Sequence, residues 1–167
     1  MPVFALGRHA GARRQAIVAL KEDGRADLIG PLAHALAIGI HRLLAWGVLD
    51  LPLTVVPAPT RRLAARKRGG DPVTKLAARA VREHPAITVA PVLRLTGAAR
   101  DSVGLGISAR QHNLRGRVRM SAGKLPRNVD VLLVDDIVTT GATVSESVRV
   151  LSGAGAGVAA VLTIAHA

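Results

Sequence analysis

Two adjacent carboxylates, Asp135 and Asp136, follow the apolar run Val131-Leu132-Leu133-Val134 and precede Ile137-Val138-Thr139-Thr140-Gly141-Ala142-Thr143. Four consecutive apolar residues suit a strand buried on both faces, and open α/β sheets bind ligands beyond the C-terminal ends of such strands. A carboxylate is costly to bury there without a partner. Successive strand residues point to opposite faces, so the two acids do not suit a single metal clamp; separate hydroxyl or cation partners fit them better. That geometry describes a polyol such as ribose. Thr139 to Thr143 then supply hydroxyls, a glycine that lets the backbone approach closely, and the free N–H groups of a helix start, which together cradle a phosphate. The ligand implied by the whole segment is a ribose that carries phosphate.

The segment resembles the phosphoribosyl-diphosphate (PRPP) binding motif of the type I phosphoribosyltransferases, which has four hydrophobics, two acids and a Thr/Ser-Gly-rich turn. The resemblance implies a parallel α/β sheet flanked by helices with a small hood or flap. It implies that Asp135 and Asp136 hold the ribose hydroxyls and act as the catalytic pair. Val138, Thr139, Thr140, Gly141, Ala142 and Thr143 would bind the 5′-phosphate. It further implies Mg²⁺ on the diphosphate and ribose oxygens, with no direct protein ligand assigned, and attack of a nitrogen nucleophile at C1′ as diphosphate leaves.

Over most of the chain, the sequence is also similar to the ComF-like group of that family, whose members are associated with competence and DNA uptake. Ala19-Leu20-Lys21-Glu22-Asp23-Gly24 resembles the group's Leu-Lys-x-x-Gly segment. Val55-Val56-Pro57-Ala58-Pro59-Thr60-Arg61-Arg62 resembles its diphosphate loop, and Leu63 to Gly69 its Arg-x-Arg-Gly run. On that resemblance Lys21, Pro57, Ala58, Pro59, Arg61, Arg66 and Arg68 contact diphosphate. Charge alone gives the basic residues near this loop a similar use, since they can neutralise a departing diphosphate; a solvated basic face is the plainer alternative. Asp101 to Leu105, Arg110 and Asn113-Leu114 resemble a Gln-x-Gly-Leu followed by Arg-x-x-Asn, with Ser102 in the place of Gln. Arg100 and Arg110 in this polar segment belong either to a flexible loop that closes over substrate and excludes water or to an exposed loop that they keep soluble. The chain departs from the group at Gly70-Asp71-Pro72, where Phe-Asn-Gln is common, and it lacks the four-Cys zinc ribbon of many members.

The elements that must position these residues are readable from periodicity. Ala12 to Glu22 predicts a surface helix, and Asp27, as N-cap, begins a long apolar helix that ends at Gly47. Leu53 to Val56 predicts a buried strand, Val73 to Arg82 a helix, and Ala86 to Leu95 a strand spanning Pro91. Val129 to Val134 is the clearest strand, followed by a helix over Thr143 to Leu151, a turn over Gly153 to Gly157 and a strand over Val158 to Ile164. Strands alternating with helices specify a parallel α/β domain. The polar stretch from Thr96 to Lys124 is expected to form a loop or small flap. The glycines at 153, 155 and 157 close a helix rather than open one, which is the wrong order for a dinucleotide loop.

The 167 residues fit one domain, and a composition of 49% hydrophobic and 20% charged residues excludes a disordered chain. Without cysteine there is no disulfide, Cys-based zinc site or thiol nucleophile. The apolar stretch from Leu28 to His41 is shorter than a membrane span, so no membrane insertion is expected. The N-terminus lacks a secretory signal pattern, which makes the cytoplasm the expected location. Among six histidines, His34 and His41 lie two turns apart on an apolar helix, where packing is the expected role. A formal net charge of +12 points to polyanionic partners: PRPP, a phosphoribosylated nucleotide, or nucleic acid. The alternative function is a non-catalytic accessory protein that binds single-stranded DNA or another nucleic acid. Trp46 and Phe4 are its only aromatics, so such binding would be electrostatic rather than by base stacking. The oligomeric state and the acceptor are not specified by any motif.

Overall fold

The computed structural model describes residues 1–60, 70–96, 116–121, 125 and 129–167. Five parallel strands form the main sheet: β1 (Val3–Ala5), β2 (Leu53–Pro57), β3 (Ile87–Val89), β6 (Asp130–Val138) and β7 (Val158–His166). Their order across the sheet is β1-β7-β6-β2-β3. Strands β4 (Leu93–Leu95) and β5 (Val118–Met120) pair antiparallel in a separate two-stranded sheet. The helices are α1 (Gly11–Glu22), α2 (Ile29–Ala45), α3 (Pro72–Ala80) and α4 (Ala142–Gly153). The expected class, a parallel α/β sheet flanked by helices, is what the chain forms.

Strand parity sorts the core into two layers. Leu132 and Val134 of β6 face α1, α2 and α3, meeting Leu20, Leu36, Ile40 and Leu76 together with Leu53, Val55 and Leu162. Val131 and Leu133 face the other way, toward Val144 and Leu151 of α4 and toward Val92, Leu93 and Val118 near the small sheet. Each fully buried leucine or valine side chain contributes about 1.5–3 kcal/mol, so a one-residue slip of β6 would exchange two filled faces. On α2 the buried face is Leu32, Leu36, Ile40 and Leu43, and Gly39 lets the helix sit close on the sheet beside Leu6 and Leu162. Together with the preceding turn, residues 26–45 make a helical stretch long and apolar enough by length and composition to span a membrane. That stretch is longer than its charge-free part suggested, and here it covers the sheet.

Several expectations need correction. The stretch Ala86 to Leu95 is not one strand: β3 ends at Val89, Ala90, Pro91 and Val92 intervene, and β4 joins the other sheet. Proline has no N–H for a ladder, so the chain leaves the main sheet there. Asp27 does not cap α2; its carboxylate is held by Arg25 at 2.8 and 2.7 Å, and a short 3₁₀ turn over Ala26–Leu28 leads into the helix. Strand β6 runs four residues beyond Val134, so both acids lie within the strand. The short strands β1 and β5 were not foreseen. Strand β5 lies in the polar stretch expected to form a flap, and Glu146 of α4, 6% exposed, accepts the Gly116 N–H at 2.6 Å just before it. Arg149 binds the same carboxylate at 2.7 and 2.9 Å, which gives this buried charge its partner.

Candidate functional site

The site is built on the C-terminal half of β6 and the turn into α4. By the same parity that sorts the core, Asp136 follows Leu132 and Val134 onto the α1–α3 face, and Asp135 follows Val131 and Leu133 onto the α4 face. Asp136 is 5% exposed and pairs with Lys21 of α1, Nζ to Oδ2 at 2.5 Å. Lys21, expected at the diphosphate, therefore reaches the second acid of the pair. Asp135 lies beside Thr163 of β7, and its Oδ1 accepts the backbone N–H of Asp136 at 2.8 Å. Burial, reinforced by the charge of Asp136, pushes the Asp135 carboxyl well above the usual carboxylate range, and the Lys21 ammonium offsets this only in part.

Beyond Val138 the chain turns through Thr139 and Thr140 to Gly141, whose φ of 71° is left-handed and favours glycine. Gly141 precedes the first residue of α4. No capping side chain occupies the helix N-cap position, and the Ala142 N–H reaches Thr140 Oγ1 at 3.4 Å. The first-turn amides of α4 thus face a small cleft lined by residues 137–144 and by Asp135. The structure brings Asp135, Val138, Thr139, Thr140, Gly141, Ala142 and Thr143 around this one cleft, with Asp136 on the reverse face of the strand.

The neighbouring strand β2 delivers Pro57 beside Val134, and Ala58 N–H binds the Val134 carbonyl at 2.8 Å. Pro57-Ala58-Pro59 therefore leaves the sheet next to the acidic pair. All three are buried, with Ala58 1% exposed in the α4-side core. Arg61, Arg66 and Arg68, and Arg100 and Arg110 further on, lie outside the described residues.

One positioning group was missed. Thr60 Oγ1 donates to Asp71 Oδ1 at 2.9 Å, while Asp71 accepts the N–H groups of Val73 and Thr74 at 3.2 Å and the Thr74 hydroxyl at 2.5 Å. Asp71 is thus the N-cap of α3, with Pro72 at the first helical position, and it ties Thr60 to the start of that helix. An Asp-Pro pair before a helical pattern is a readable start signal. It sits at the Gly70-Asp71-Pro72 departure from the ComF-like pattern.

The donors present are carboxylate and hydroxyl oxygens, which suit a hard cation such as Mg²⁺. Among the described residues no group of three or more ligating His, Asp or Glu side chains is gathered around a common point. No protein-family model and no curated protein matches the chain. Among solved structures it is similar to a hypoxanthine phosphoribosyltransferase from Staphylococcus aureus in two crystal forms. For the orthorhombic form the identity is 18% and the TM-score 0.44; for the tetragonal form they are 17% and 0.42. In both cases 81% of this chain aligns with 61% of the other, so the chain spans about three fifths of that enzyme's length.

Proposed function

We propose that this protein binds PRPP, or a phosphoribosylated nucleotide, with Mg²⁺, and transfers the phosphoribosyl group to a nitrogen acceptor. The observation that carries the reading is the continuous unit of β6, turn and α4. It sets two carboxylates in the C-terminal half of a strand whose turn, with a left-handed glycine at the N-cap position, leads into a helix N-terminus. In this reading the α4 amides and the hydroxyls of Thr139, Thr140 and Thr143 take the 5′-phosphate, and Asp135 and Asp136 take the ribose hydroxyls. Lys21 keeps a positive charge at the ribose, where it opposes the negative oxygens of the diphosphate. Bound Mg²⁺ supplies charge neutralisation on the leaving diphosphate. The chain's own contribution is to hold C1′ and its leaving group in line and to exclude water. The finer placement within the ComF-like group, with its association with DNA uptake, rests on the sequence resemblance, as do the diphosphate roles of the basic loop residues and a cytoplasmic location.

Calorimetric titration of PRPP and Mg²⁺ into the wild type and into Asp136→Ala tests the reading. Binding by the wild type and a loss of at least tenfold in affinity in the variant is the expected result. A well-folded wild type that takes up no PRPP refutes it and leaves the nucleic-acid reading, which the net charge of +12 favours.

A further inference from the structure

Histidines 34 and 41 do not pack in the core as expected; both are exposed on α2. His41 instead meets His84, 43 positions later in the turn that follows α3, with the two Nε2 atoms 2.9 Å apart. The rings approach edge to face at 4.6 Å between centroids and 68° between planes. They lie at the rim of a cleft of about 350 Å³ between α2 and the end of α3. His84 lies in the turn that leads into β3 and His41 in the last turns of α2, whose chain continues to β2, so the pair sits toward the N-terminal end of these strands, away from the cleft at the start of α4.

We propose that His41 and His84 form a two-imidazole clamp for a divalent transition-metal ion of the Ni²⁺ or Cu²⁺ kind. With metal–nitrogen bonds of about 2.0–2.1 Å, a nitrogen separation of 2.9 Å subtends about 90° at the metal. That is the cis angle of the tetragonal geometry these ions favour, and it is narrower than the tetrahedral angle of a structural zinc site. In the metal-free pair one Nε2–H donates to the other Nε2. On binding, the donor ring carries its proton on Nδ1 instead, so both Nε2 lone pairs meet the ion and no net proton is released. Among the described residues no third side chain completes a ligand set, and the open cleft lets water fill the remaining positions. Arg79 and Arg82 also line the cleft, and Arg82 pairs with Glu83 at 3.2 Å. This cationic wall opposes a hard ion held by charge alone, such as Mg²⁺, and leaves the advantage to ions that bond strongly to neutral imidazole. The bound ion would staple α2 to the α3–β3 turn without entering the phosphate site.

The test is calorimetric titration of NiCl₂ into tag-free wild type, His41→Gln, His84→Gln and His9→Gln, with circular dichroism to confirm folding. One site in the wild type, weakened roughly tenfold to hundredfold in His41→Gln and in His84→Gln and unchanged in His9→Gln, is expected. Electron paramagnetic resonance of the Cu²⁺-loaded wild type should show coupling to two equivalent imidazole nitrogens. Wild-type affinity in both clamp variants, or coupling to fewer than two nitrogens, overturns the proposal.

Discussion

Asp135 and Asp136 are adjacent acids with opposite circumstances, which makes them separable by experiment. Asp136 is buried but holds Lys21, whereas Asp135 is half-buried at the edge of the cleft and carries a pKa raised chiefly by desolvation and then by the charge of Asp136. A carboxyl that binds its proton more tightly when folded stabilises the fold fully below the unfolded value of about 3.9, and this stabilisation is lost as pH rises through the raised value. At neutral pH Asp135 is therefore a source of instability. Asp135→Asn should raise the thermal midpoint at pH 7 by roughly 2–4 °C, as expected for about 1 kcal/mol in a chain of this size, and should leave it unchanged near pH 4. Asp136→Asn should lower it, because the buried end of the Lys21 contact loses its charge, at a cost of about 1–3 kcal/mol. Thermal unfolding of both variants across pH checks the pair, and a lower midpoint for Asp135→Asn at pH 7 would contradict the assignment. The acids and their opposite faces were legible in the sequence, because an apolar run of fixed parity precedes them. The partner of Asp136 was not, since α1 and β6 are distant in the chain and meet only when the sheet is covered.

At the scale of elements, legibility followed length and periodicity. The helices α1 and α4 and the strands β2, β6 and β7 have apolar patterns long enough to read, though α4 also buries the polar Glu146 and Ser147. Strands of three residues such as β1 and β5 carry too little pattern, and Arg119 in the middle of Val118-Arg119-Met120 conceals an alternation whose first residue is fully buried. Helix starts depended on which acid found which partner. Asp27 is taken by Arg25, while Asp71, at a turn that resembled no family motif, caps α3 and holds Thr60. Asp71→Ala should destabilise the protein by about 1 kcal/mol through loss of the cap. Because Asp71 also ties Thr60, next to the proposed diphosphate segment, to the start of α3, the variant should bind PRPP more weakly by severalfold, whereas Asp71→Asn, which can still accept the cap hydrogen bonds, should recover most of the stability. Urea unfolding beside PRPP titration separates the two effects, and unchanged affinity in a measurably destabilised Asp71→Ala would remove this contact from the binding argument.

For the molecule as a whole, the charge of +12 outlasts any assignment of single side chains. A compact chain with that charge attracts any polyanion, and the same field that draws in a diphosphate also draws in single-stranded DNA. The two readings part on the physics of release. Binding to DNA through phosphate contacts releases counterions, so about four neutralised phosphates on a single strand imply a loss of roughly fiftyfold in affinity between about 50 and about 200 mM salt. PRPP held by α4 amides and ribose hydroxyls is a compact ligand with directional hydrogen bonds and should lose far less over the same range. Fluorescence anisotropy with a labelled oligonucleotide, repeated at several salt concentrations and with PRPP as competitor, measures both. A steep salt slope with displacement by PRPP would mean that DNA and PRPP share a surface, and a steep slope without displacement would place the DNA elsewhere on the molecule. With Phe4 and Trp46 as the only aromatics to stack on bases, a salt-indifferent affinity has no physical source in this chain and would exclude an electrostatic nucleic-acid role.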